Sequence, residues 1–275
     1  MASSNNPAMR QVPAFRRGAG SGLAPQPVDP GVTGSAPDLD ALFHGRSAGA
    51  AETGRMTYED TVLKTVLLFA VLLAGAAVSW FVPALTIVGA IVGLVLGLVN
   101  SFKRKPSPAL IVLYAAAQGV FLGGISRIFE TMFGGVVIQA VIATLGVFGV
   151  MLALFASGKV RASSRLTKIF MGAMIGYLVY SLVNVGLMVF GGVSSDLAFG
   201  LNSQTVMGIP IGLIVGILAV LMGAYSLVLD FEFIKNGVEN RAPRVYGWSG
   251  AFGLMVTLIW LYVEFLRLFA ILQRN

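Results

Sequence analysis

Two carboxylates stand inside long apolar stretches of this chain. Asp230 lies in Leu227-Val228-Leu229-Asp230-Phe231-Glu232-Phe233-Ile234-Lys235, and Glu264 in Trp260-Leu261-Tyr262-Val263-Glu264-Phe265-Leu266-Arg267. Stretches of this kind reach the ~20 residues that cross a hydrocarbon core. An acid there costs ~2.5–3.5 kcal/mol on insertion scales, so it normally has a partner and marks an ion or proton path. Two carboxylates in contact cannot both ionise cheaply, and they titrate as a unit. If Asp230 faces Glu264 across a helix pair, the two form a proton-operated latch built without histidine. The residues leave a second reading open: Arg267, three positions after Glu264, can neutralise it within its own helix. Glu232 points to a different face from Asp230 and reads as an interfacial charge near Lys235.

Composition says what must carry these acids. Hydrophobic residues make up 56% of the 275 and charged residues 11%, with a mean hydropathy of +0.84. A soluble domain of this size cannot hide so much apolar surface. The expected class is an all-α integral membrane protein with seven transmembrane helices, covering about 62–82, 84–102, 109–128, 135–156, 169–190, 208–229 and 248–272. Pro83 separates the first two by a tight turn. Residues 1–56, rich in Pro, Gly, Ser and Ala without periodicity, read as a disordered tail, leaving 57–275 as the membrane domain. The tail has no apolar core of the kind a cleaved secretory signal needs. Thr57 followed by Asp60 reads as the first helix start. Asp230 is then expected about five residues, or ~7–8 Å, from the cytoplasmic boundary near Lys235. Gly89, Gly93 and Gly97, and likewise Gly208, Gly212 and Gly216, recur every fourth residue and read as close-packing stripes.

All but three of the 19 basic residues fall in the tail or in alternate connectors, which predicts a cytoplasmic N-terminus and an external C-terminus. The net charge of +7 therefore reflects topology, and no basic-aromatic interleaving suggests nucleic acid. The chain has no cysteine and one histidine, His44 in the tail, which excludes thiolate chemistry and a histidine-based metal site. No enzyme is expected. An intramembrane aspartyl protease would need a Gly-x-Gly-Asp helix, whereas Glu264 follows Tyr262-Val263. Ala- and Gly-rich usage points to a bacterial plasma membrane.

The segment Leu261-Tyr262-Val263-Glu264-Phe265-Leu266-Arg267-Leu268-Phe269 resembles the last-helix signature of the Bax-inhibitor (transmembrane Bax inhibitor motif) family. Leu229-Asp230 is similar to that family's Tyr-Asp position. Lys103-Arg104-Lys105, followed by Tyr114-Ala115-Ala116-Ala117-Gln118-Gly119, resembles its basic cluster and third helix. The resemblance extends over about 57–272 and implies bacterial-type members with six helices surrounding a central seventh. It implies that Asp230 and Glu264 form a pH sensor and gate for a calcium leak, with transient calcium on both and Arg104 as the latch. Gln118, Glu232 and Arg267 are secondary candidates. No cofactor is implied; calcium is the transported ion. This chain departs from the pattern in three places: Glu264 stands for Asp, the connector between the acids is longer, and Ile91-Val92-Gly93 replaces a membrane acid. The competing function is a non-transporting regulatory protein that binds a protease or stress-response partner through its tail. Oligomeric state stays open.

Overall fold

The computed structural model describes residues 54–191 and 199–274. It contains seven long α-helices: α1 (Tyr58–Phe81), α2 (Thr86–Phe102), α3 (Pro108–Met132), α4 (Val136–Ala156), α5 (Ser164–Val189), α6 (Ile211–Glu239) and α7 (Gly247–Arg274). All seven are long and apolar enough to cross a membrane, so this is a multi-pass membrane protein. Thr57 caps α1 by accepting the Asp60 N–H at 3.1 Å, as its sequence position suggests. A short 3-10 turn, Pro83–Leu85, joins α1 to α2. Glu130, near the end of α3, accepts the N–H groups of Gly135 (2.8 Å) and Val137 (3.0 Å), which satisfies free donors at the start of α4.

The central helix is α7, most of whose membrane-length stretch is buried, whereas α5 at the edge is almost wholly uncovered. It packs against α1, α3, α4 and α6, while α2 lies on α3. Close approach between α1 and α3 depends on glycine: Gly119 abuts the Leu72 backbone and Gly123 the Ala76 backbone. Lipid supplies no hydrophobic drive for helices to associate, so such contacts are a main source of packing energy. Gly123→Ala should therefore destabilise the fold by about 1–3 kcal/mol, read as a lower melting temperature in detergent. An unchanged melting temperature would mean that α1 and α3 can separate freely.

Three expectations are corrected here. Residues 54–56 do not belong to a disordered tail, because Met56 is 2% exposed and Arg55 bridges to Pro243; the rest of the expected tail, with His44, lies outside the described residues. Next, α6 does not end near 229 but runs on to Glu239. Phe231 and Ile234 are buried, and Ile234 seats against Gly250, so the apolar face of α6 continues past its acids. Finally, Gly208 is a turn residue. With Met207 (φ 55°) it makes the φ-positive tip (φ 82°) of a hairpin pairing Val206 with Ile209. Gly212 and Gly216 do pack, against Ile271 and Leu268 respectively.

Candidate functional site

The seam between α6 and α7 is antiparallel, and its register is set by side chains lying on glycines. Leu268 sits on Gly216, Leu261 on Gly223, Ile234 on Gly250, and Asp230 on Gly253, where a Cβ would fall 2.7 Å from Asp230 Oδ1. Asp230 is half-buried, and its one hydrogen-bond partner among the described residues is Thr257 Oγ1, at 2.6 Å. Thr257 is buried and also lies 3.1 Å from Ser226 Oγ. With Asp230 ionised, Ser226 donates to Thr257 and Thr257 to the carboxylate. With Asp230 protonated, the hydroxyls can turn and the relay runs the other way. Either protonation state is thus hydrogen-bonded without a rearrangement of the backbone. Replacing Thr257 by Val should cost about 0.6–2 kcal/mol in a detergent unfolding titration, and clearly less when Asp230 is already Leu, where only the bond to Ser226 is left to lose. Equal losses in both backgrounds would show that Thr257 does not act through Asp230.

Glu264 lies elsewhere. It follows Thr257 by seven residues along α7, or about 10 Å at helical rise, and so cannot reach Asp230. The expected proton-sharing couple is not formed. The register of the seam excludes it, because Leu261 and Leu268 bracket Glu264 and sit on Gly223 and Gly216, both well before Asp230 in α6. Glu264 is 2% exposed, hydrogen-bonded by Tyr177 of α5 and ion-paired with Arg267. The reading left open in the sequence is settled in favour of Arg267. Tyr177 also packs on Trp260, with ring centroids 5.7 Å apart.

The remaining candidates are not at this seam. Arg104 is exposed in the α2–α3 connector and makes no ion pair with either acid, so it does not latch Asp230 here. Gln118 lies between α2 and α3 against Gly93, with its Oε1 buried and unpaired. Glu232 does not pair with Lys235, whose partner is Glu239 at 3.6 Å, and one Glu232 oxygen is buried without a partner. Among the described residues no group of three or more acidic or histidine side chains gathers to hold a metal.

Tyr177, Thr257 and Ser226 were missed in the sequence. Their only signal was a hydroxyl inside an apolar helix, and that does not say which neighbour it meets. With them, α5 proves to be held largely by polar contacts. Thr167 meets Tyr225 (2.8 Å), Tyr177 meets Glu264, Tyr180 donates to Asn202 (2.7 Å), and Asn184 accepts the Leu201 N–H (2.7 Å). Among the described residues the two acids therefore differ in kind: one is ion-paired with a guanidinium, and the other meets only a hydroxyl. The sequence model of the family described as Bax inhibitor 1 like matches residues 6–274. No curated protein matches the chain.

Proposed function

Because the chain belongs to the Bax inhibitor 1 like family of membrane proteins, we propose that it is a pH-sensitive cation leak, with calcium as the physiological ion. The gate on this reading is Asp230 in the α6–α7 seam. The observation that carries it is an acid inside a membrane span whose only hydrogen-bond partner among the described residues is the Thr257 hydroxyl, with no ion pair to any of their basic side chains. Such a carboxylate has two ways to be neutralised: a proton from the nearer aqueous side, or a passing cation. Proton and cation compete for the same oxygens, and that competition makes flux depend on pH. With the proton bound, the seam stays packed around Thr257 and Gly253. With it lost, a charge faces one hydroxyl in an apolar wall, and water and cations are drawn into the seam.

Calcium prefers six to eight oxygens. Asp230 with Thr257 and Ser226 offers few, which suits brief passage better than storage. Glu264, held by Arg267 and Tyr177, is the closure farther along α7 rather than a second half of the sensor. On this reading the N-terminus and the Asp230 end of the seam face the cytoplasm, which the distribution of basic residues supports, and the membrane is a bacterial plasma membrane. The protein is not an enzyme on this reading. Calcium flux into proteoliposomes, measured across pH for wild type and Asp230→Asn, tests it. If purified wild type passes no cation at any pH, the reading falls, and a regulatory protein that binds a protease or stress-response partner takes its place.

A further inference from the structure

The residues just ahead of α1 are tied to the connector between α6 and α7. Arg55 and Pro243 form an antiparallel bridge, with the Met56 N–H donating to Ala242 O (2.7 Å) and the Arg244 N–H donating to Gly54 O (2.8 Å). The buried Met56 places its sulfur against Gly237, where a Cβ would come within 2.7 Å. Asp60 adds a charged clasp: it is ion-paired with Lys64 and with Arg244 (Nη2 at 2.7 Å), and it accepts a hydrogen bond from Arg244 Nε (2.9 Å). Lys64 also donates to the Arg244 carbonyl at 2.8 Å and lies over the Trp248 ring at 5.5 Å. Buried Thr61 meets Gly247 and Gly250 at the start of α7.

A connector this short closes a helix pair without help. The extra ties grip the last turns of α6 through Gly237, the connector through Ala242 and Arg244, and the first turns of α7 through Gly247 and Trp248. Asp230 lies two turns before Gly237 on the same helix, so a shift of that helix end moves the acid relative to Gly253 and Thr257. We propose that residues 54–56, with Asp60 and Lys64, are a strap that holds the Asp230 seam shut, and that release of the strap opens it. This names the regulation of the gate described above and rests on that reading only for its flux readout.

The chain contains no cysteine, so Ser226→Cys reports directly on access to the seam. Modification of that cysteine by a charged, membrane-impermeant thiol reagent should be slow with the strap intact. It should speed up about tenfold or more with Met56→Ser or Asp60→Asn, as local opening is made easier. Calcium flux should rise in parallel. Faster modification with no flux in any protein would leave the strap standing and remove the leak. A pH-dependent wild-type leak with unchanged modification and flux in both variants would overturn the strap alone. If those variants fail to fold, a reversible tie replaces them. Arg55 and Pro243 are a non-hydrogen-bonded antiparallel pair, the kind whose close Cα spacing accepts a disulfide. In the Arg55→Cys/Pro243→Cys protein, oxidation should slow amide exchange across residues 230–250 and reduction should restore it. Equal exchange in the two redox states would overturn the proposal.

Discussion

In proteoliposomes containing Asp230→Asn, calcium flux should no longer change with pH, while wild type changes it by at most about tenfold per pH unit. That limit is the signature of a single titrating carboxylate; a proton-sharing couple would titrate over two steps that belong to the pair. Asp230 meets Thr257 and lies on Gly253, and Glu264 is out of reach, so one proton is at stake in the seam. Asn keeps the shape and accepts from Thr257 but can neither lose a proton nor hold a cation by charge. Flux should therefore fall to a low, flat level. Glu264→Gln should leave the pH dependence in place, because that acid is already neutralised by Arg267. Persistent pH dependence in Asp230→Asn would sink the single-acid gate. Its loss in Glu264→Gln would restore the couple.

The second large effect is on stability. Removing one partner of a buried ion pair leaves an uncompensated charge, and in protein interiors this costs about 3–5 kcal/mol, whereas replacing both partners by apolar groups is often neutral. The Glu264 side chain is 3% exposed and that of Arg267 18%, so the cost is borne mainly by Glu264 when it is left alone. Arg267→Met should lower the detergent melting temperature sharply. Glu264→Gln should do so less, because Arg267 can extend toward the headgroups. The double variant Glu264→Leu/Arg267→Met should recover most of the loss. The double-mutant cycle then gives a large coupling energy between the two positions. Additive losses would mean that the pair is not a unit. Tyr177 is the third member, and its hydroxyl is what ties the loosely packed α5 to the central helix at this depth.

Much of this was legible along the chain because the physics involved is local or one-dimensional. Seven apolar runs of membrane length state the number of crossings. Thr57 three residues before Asp60 is a helix start, and Glu264 three residues before Arg267 share a helix face. The end of α6 was not legible. Glu232, Lys235 and Glu239 look like a boundary in composition, yet Phe231 and Ile234 between them keep one face buried. Arg104, which makes no ion pair with either acid in this structure, shows a related limit: a basic cluster in a connector bears on which side of the membrane it is on, but not on which helix end it leans toward.

By itself, then, the sequence determined that the chain enters a membrane seven times, which end carries the positive charge, and that two acids sit where they need partners. Which partner each acid takes was decided only by tertiary structure. The vertical register of α6 on α7 places Gly253 and Thr257 beside Asp230 and carries Glu264 past it to Arg267 and Tyr177. The physical reason lies in the packing of helices in lipid. With no hydrophobic force between them, they settle where backbones come closest, and glycines such as Gly216, Gly223, Gly250 and Gly253 choose that depth.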